Sequence, residues 1–328
     1  MRKLYGLTVY SRLPNYNHNW ERDSSFFYKV LGTRKLNVVD VGARGSSCGE
    51  LKGGRENIRY LGFDADLAEV ERLAQRDSTF SDYKVVAATV GGEQSVVRFH
   101  RFETPSADSF FPRSKRWERW YGHERVVGYE NLATQTLDQL VDCNVDFLKV
   151  DSQGSEFEIL TGAGRILSEA VMVEVELEFL EVYEGQHLAH DVMKVLYERD
   201  FQLLYLNRVH ANSQAFAGTA RGQLAFGDGL FGVSREKALS LSIDKQVIYC
   251  CLLINYGHLD FAYDIFCSNE RLRGASPGLE EFFGSRNRKP TVFARLANLF
   301  LDRFIYSLLS LRKTNGLTVD SDRSWPVR

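Results

Sequence analysis

The sequence predicts an α/β protein. A doubly wound, mainly parallel sheet spans residues 36–235, with a cover segment over 1–35 and a helical extension over 236–328. Three observations carry this. Residues 36–66 read as strand, glycine turn, helix and strand: Leu36, Val38 and Val39 lead into Asp40-Val41-Gly42-Ala43-Arg44-Gly45, and Ile58, Tyr60 and Phe63 lead into Asp64. A continuous apolar run breaking into glycine is how a buried parallel strand hands its chain to a helix. A second run, Val145 to Val150, also ends in an acid, Asp151, beside a helix start. From Lys237 onward the apolar spacing takes the helical period.

Composition narrows the class. A chain of 328 residues has ample material for a core, and 44% hydrophobic with 26% charged residues is ordinary for a globular protein. A net charge of −2 gives no support to a nucleic-acid partner. The five cysteines include adjacent Cys250 and Cys251 and no C-x-x-C pair, so they read as reduced core thiols. Arg2 and Lys3 are followed by no apolar leader, and the run from Val247 to Ile254 is too short to span a bilayer. The expectation is a soluble, cytoplasmic protein.

In chain order, Asp66 and Glu69 are spaced as a capping box for a helix carrying Leu67, Val70, Leu73 and Ala74. Tyr83 to Val90 is one strand, and Ser95 to Phe102 a half-exposed one. Residues 103–131 read as a long irregular insertion crowded with Arg113, Arg116, Trp117, Trp120 and His123. Two readings stand for it: an acceptor-docking surface built on Trp117, Trp120 and Arg116, or a solvated loop pinned by its tryptophans. After Asp151, Ser155 and Glu158 suggest a capping box and one helix reaching Ile166. Met172 to Phe179 then places Glu174, Glu176 and Glu178 on one strand face, either at an exposed edge or lining a site. Strands at 201–206 and 222–233 precede helices near 245–256, 259–267 and 291–312. The last carries a broad apolar stripe suited to packing on its own domain, to a membrane surface, or to a homodimer contact.

The first turn carries the ligand argument. Dinucleotide folds use G-x-G-x-x-G, whose leading glycines bring bare backbone against a pyrophosphate. Here Asp40 takes the first position, and a carboxylate facing two phosphates is unfavourable. It suits a cationic, phosphate-free ligand such as S-adenosylmethionine. Asp64, 24 residues beyond Asp40, has the spacing of an acid that reaches a ribose diol.

Four ordered blocks then resemble the FkbM family of methyltransferases: Asp40 to Gly45, Thr136-Leu137-Asp138, Phe147 to Glu156, and Ile159-Leu160-Thr161-Gly162-Ala163. The resemblance covers about residues 36–206. It implies the Rossmann-like sheet of class I methyltransferases, with S-adenosylmethionine as cofactor and O-methylation of a sugar or glycan precursor as activity. By motif, Asp40, Gly42 and Gly45 would hold the methionine end, with Ala43 and Arg44 of the same turn, and Asp64 with Ala65 the ribose. The family often has asparagine at the position of Arg44, and D-V-E-G where this chain has Asp151-Ser152-Gln153-Gly154.

Methyl transfer to a hydroxyl needs alignment, exclusion of water and a base for the proton. Asp151, Glu174 and Glu176 are the candidates. His187 and His123 stand further out, His187 also as an acceptor-binding residue. Asp151, Glu156 and Glu174 offer oxygens of the kind magnesium takes, but nothing in the spacing requires a metal. The rival readings are an NAD-dependent sugar oxidoreductase, which Asp40 opposes, and a non-catalytic scaffold whose helical tail binds a partner.

Overall fold

The computed structural model describes residues 29–45, 51, 55–75, 80–211, 222–286 and 317–320. Among the described residues the first elements of the sheet region are β1 (Leu36–Val41), β2 (Ile58–Asp64), α1 (Leu67–Ala74) and β3 (Asp82–Ala87). Next come β4 (Thr89–Val90), β5 (Val96–Phe102), α2 (Lys115–Tyr121) and β6 (Val126–Gln135). α3 (Leu137–Leu140), β7 (Phe147–Val150), α4 (Glu156–Thr161), α5 (Gly164–Glu169) and β8 (Met172–Glu178) lead to α6 (Ala189–Tyr197), β9 (Phe201–Ala211) and β10 (Gln223–Val233). Helices α7 (Arg235–Ser240), α8 (Ile243–Asn255), α9 (Leu259–Ser268), α10 (Glu270–Ala275) and α11 (Pro277–Arg286) follow, then β11 (Leu317–Asp320).

Eight strands form the main sheet in the order β11-β9-β10-β8-β7-β1-β2-β3. The five strands from β8 to β3 run parallel, whereas β10, β9 and β11 join antiparallel. This is the α/β architecture expected. Strands β1, β7 and β8 are buried almost throughout, as continuous apolar runs in a doubly covered sheet must be. β8 lies between β7 and β10, so it is a central strand, and its three glutamates are enclosed rather than displayed on an edge.

Several expectations are corrected. Residues 83–90 are two strands: β3 stays on the main sheet, while β4 passes to a second sheet of order β4-β6-β5. The insertion is structured, holding α2 and the ten-residue β6, which pairs antiparallel with β5. Gly128, Glu130 and Asn131 give β6 a polar, mostly exposed pattern that hides it from apolar periodicity. The helix expected to reach Ile166 is two helices, α4 and α5, divided at Gly162 and Ala163. At the C-terminal end a short strand, β11, returns to the sheet edge beside β9. Residues 1–28 of the expected 1–35 cover segment, and the expected 291–312 helix for which a homodimer contact was one reading, lie outside the described residues.

The C-terminal helices share one apolar core with the sheet, in which Val247 to Ile254 are all buried. Each such large side chain contributes about 1.5–3 kcal/mol by leaving water. Polar ties fix the packing: Tyr249 Oη donates to the Val233 carbonyl at 2.8 Å, and Ser276 Oγ to that of Val30 at 2.7 Å. Lys245 Nζ sits on Asp146 at 2.5 Å. Among the described residues no helix is long and apolar enough to cross a membrane.

Candidate functional site

Strand order reverses between β1 and β7, which opens a crevice at their carboxyl ends. A cleft lies there, with Gly42, Asp64, Thr89, Arg101, Asp151 and Gln153 in its wall.

The glycine turn is fixed by backbone. The N–H groups of Gly42 and Ala43 both donate to the Phe63 carbonyl, at 2.9 and 3.0 Å. Gly42 has φ +78°, and a Cβ there would fall 1.7 Å from the Asp151 carbonyl oxygen, so no other residue fits. Glu69 does not close a capping box. Asp66 alone caps α1, and Glu69 instead accepts from the Gly45 N–H at 2.9 Å while pairing with Arg72. The Arg72 guanidinium holds the Glu69 carboxyl down at about 2. Glu69 is thus a turn-holding residue that sequence spacing assigned elsewhere.

Asp64 ends β2 on the cleft wall, 8% exposed. Burial raises its carboxyl above the ordinary value, opposed by the Asp66 N–H donating at 2.8 Å and by Arg44. Arg44 reaches Asp66 at 2.6 Å and Asp64 at 3.8 Å. Gly42, Arg44, Asp64 and Ala65 all line the cleft, whereas Ala43 is buried and neither it nor Gly45 belongs to the wall. A carboxylate accepts only, and bare backbone lies next to it, so the pair fits a ribose diol and a chain approaching the turn.

Two rows of charge cross the strands here. Asp40, Lys149 and Glu174 lie side by side on β1, β7 and β8. Tyr60 Oη donates to Asp40 at 2.8 Å, Tyr256 Oη to Glu174 at 2.8 Å, and Lys149 Nζ stands 3.7 Å from Asp40. Asp40 is fully enclosed and Glu174 is 6% exposed, and neither is in the cleft wall. The expectation that they touch ligand is corrected: both serve this internal row.

One pleat further toward the carboxyl ends stand Asp151 and Glu176, with Asp228 opposite Glu176 on β10. Gln153 joins the first two, its Nε2 donating to Asp151 Oδ1 and Glu176 Oε2, each at 3.0 Å. Gln153 has the left-handed φ of 59°, rare for a side chain bearing Cβ. It is held there by Tyr183 Oη on its amide oxygen at 2.9 Å and by Ser109 Oγ on its carbonyl at 2.6 Å. Asp151 keeps 37% of its side chain exposed, and its Oδ2 lies 3.8 Å from Lys149.

Ser155 makes no cap with its side chain; Glu156 orders the loop instead. Its Oε1 accepts from the Ser152 N–H at 2.7 Å and Ser152 Oγ at 2.9 Å, its Oε2 from the Gly154 N–H at 2.9 Å. One oxygen each of Glu156, Glu176 and Glu178 lies within 4.8 Å of the others. Burial raises all three carboxyls, that of Glu156 to about 7, with repulsion from neighbouring acids adding to it. The oxygen group expected from Asp151, Glu156 and Glu174 is therefore a different one. The tie from Tyr183 to Gln153 was missed by sequence reasoning, because a contact 30 residues apart leaves no local signal.

The proposed acceptor residues do not gather at the cleft. Trp117 is buried in a second apolar cluster with Phe102, Val182 and Tyr183, which corrects its reading as a docking surface. Arg116 is exposed on α2, away from the wall, and of Trp120 only the backbone position on α2 is described. His187 stacks on Phe157 at 3.8 Å between ring centres and faces Asp191 at 3.3 Å, also off the wall.

Residues 40–203 match the family model described as Methyltransferase FkbM domain. Among solved structures, a methyltransferase FkbM from Methylobacillus flagellatus KT is similar at 17% identity and a TM-score of 0.31, over 69% of this chain and 57% of that one. The chain thus spans little more than half the length of that protein. A TehB-like SAM-dependent methyltransferase from Corynebacterium glutamicum is similar at 12% identity and a TM-score of 0.27, over 67% of this chain and 97% of that one. The N-methyltransferase NodS from Bradyrhizobium japonicum WM9 gives 10%, 0.30, 66% and 97% on the same measures. No curated protein matches in sequence.

Proposed function

Because the chain belongs to the FkbM methyltransferase family, we propose that it methylates a hydroxyl of a sugar or glycan precursor, using S-adenosylmethionine. One observation carries the reading. Asp151, a partly exposed carboxylate, stands in the wall of the same cleft as Asp64 and in backbone contact with the glycine turn.

S-Adenosylmethionine, when bound, supplies an electrophilic methyl group. The protein's part is to hold, align and take up a proton. Asp64 accepts hydrogen bonds from a ribose diol, and Gly42 leaves backbone space beside it. Asp151 takes the hydroxyl proton. Its Oδ1 accepts from the Gln153 amide, which orients the carboxylate, and Oδ2, 3.8 Å from Lys149 Nζ, is the oxygen that takes the proton. Glu176, tied to the same amide, stands as a reserve acid behind it. The acids at this end repel an anionic acceptor, which favours a neutral hydroxyl over a phosphorylated group. The choice of sugar follows from the family resemblance.

Calorimetric titration tests the cofactor. Micromolar binding of S-adenosylhomocysteine, weakened at least tenfold by Asp64→Ala, with no heat from NAD, is the expected result. Binding of NAD instead, or of neither by folded protein, would overturn it. Turnover is then sought on neutral glycan acceptors. Cofactor affinity with no turnover on any of them would favour the scaffold reading.

A further inference from the structure

We propose that Arg101 is a cofactor-binding residue, donating from β5 to the adenosine end of S-adenosylmethionine in the cleft that Asp64 lines. The inference rests on the cofactor reading above and assigns to it a residue of the second sheet. Arg101 stands in the cleft wall with Gly42 and Asp64, and its side chain is 19% exposed. A guanidinium carries five N–H donors in a fixed fork. Three are committed here: Nε and Nη2 to Glu130 at 3.1 and 3.0 Å, and Nη1 to Asp108 at 2.9 Å. The other two have no partner among the described residues. The group also lies 4.9 Å from the centre of the Phe99 ring. Its free donors are thus held in place before any ligand arrives, which lowers the cost of binding one.

The chemistry around Arg101 says which end of the cofactor it meets. Asp108 and Glu130 already offset its charge, so it offers hydrogen bonds rather than a net positive field. That suits neutral adenosine better than the amino-acid carboxylate. A ribose diol that gives both protons to Asp64 keeps oxygen lone pairs, and an enclosed acceptor left without a donor is costly. Arg101 lies toward that end of the cleft. Burial raises the Asp66 carboxyl, but Arg44, the Ala68 N–H and the charge of Arg101 together hold it below the ordinary value. Asp66 stands two residues beyond Asp64. Phe99 and Phe110, edge to face at 5.9 Å, line the wall as well, and they set apolar rings beside the fork as a flat base requires.

Two ligands separate the ends of the cofactor in calorimetric titration of the full chain: S-adenosylhomocysteine, and 5′-methylthioadenosine, which keeps the adenosine and lacks the amino-acid end. Arg101→Met is expected to weaken both by the same factor, about tenfold. If that variant does not fold, Arg101→Lys replaces it, keeping a cation for Asp108 without the fork, with an expected loss of about fivefold in both. Glu130→Gln removes a half-exposed partner of Arg101 that lies outside the wall, and should bind within about twofold of the parent. An equal loss in Glu130→Gln would show only that β5 and β6 need their ion pair, and would overturn the inference. Parental affinity in the folded Arg101 variant would overturn it too, as would a loss confined to S-adenosylhomocysteine, which would move the contact to the amino-acid end. Binding of neither compound by the folded parent would instead overturn the cofactor reading itself, and Arg101 with it, so the two failures are distinguishable.

Discussion

Two rows of charged residues cross the same strands on the same face, one pleat apart, and they have opposite characters. Asp40, Lys149 and Glu174 form the inner row, which contains a cation and is closed by the hydroxyls of Tyr60 and Tyr256. Asp151 and Glu176 form the outer row, bridged by a neutral amide and open to the cleft at Asp151. Residue type does not distinguish them. Position along the strand does: Lys149 stands at nearly equal distance from an acid of each row, so it is enclosure that makes the inner row structure and openness at the carboxyl edge that makes the outer row available to a ligand.

Removing the inner cation should have the largest effect. Lys149→Met leaves the enclosed Asp40 without its cation, and Asp151 with it, and is expected to cost about 3 kcal/mol, read by urea unfolding. Loss of no more than a few tenths would mean that the inner row is not an ion-paired unit.

Paired substitutions sharpen the contrast further. Asp40→Asn is expected to cost about 1.5–3 kcal/mol of stability, because a charge-assisted hydrogen bond in a closed site is weakened. Asp151→Asn, the same change one pleat outward, should alter stability by about 0.5 kcal/mol or less while lowering turnover about 10²–10⁴-fold. Normal turnover in the second variant would remove Asp151 as the base and erase the functional half of the comparison.

The smallest effect concerns pH. Burial raises the Asp64 carboxyl, so the folded state holds that proton more tightly than the unfolded chain does. Stability is therefore greatest below the ordinary carboxylate value and declines as pH rises through it, until the raised value is passed. Asp64→Asn has no such proton to lose. Its melting temperature should lack that decline and lie slightly above the parent's at neutral pH, while S-adenosylhomocysteine binds more weakly. A parallel pH profile in the two proteins would show that burial of Asp64 carries no penalty.

The buried parallel strands were legible in the sequence because a doubly covered strand has no polar face to write. The turn at Gly42, the acid at Asp64 and the placement of Asp151 were legible for the same reason. What the pattern could not supply was depth. Period two puts Glu174, Glu176 and Glu178 on one face, but only the pairing with β7 and β10 shows which lies opposite Lys149 and which opposite Asp151. For Trp117 two readings stood open, because an aromatic residue among arginines suits a binding loop as well as a pinned one until Tyr183 and Phe102 are seen beside it. Strand β6 escaped because exposed, polar strands carry no alternation of their own and depend on a partner, here β5.

The contact between Gly42 and the Asp151 carbonyl joins main chain to main chain. It works as a spacer whose length no side-chain replacement can adjust, setting how far the floor of one seat lies from the start of the next. New acceptors would therefore have to be accommodated by the side chains of the cleft wall, while this inner gauge stays constant.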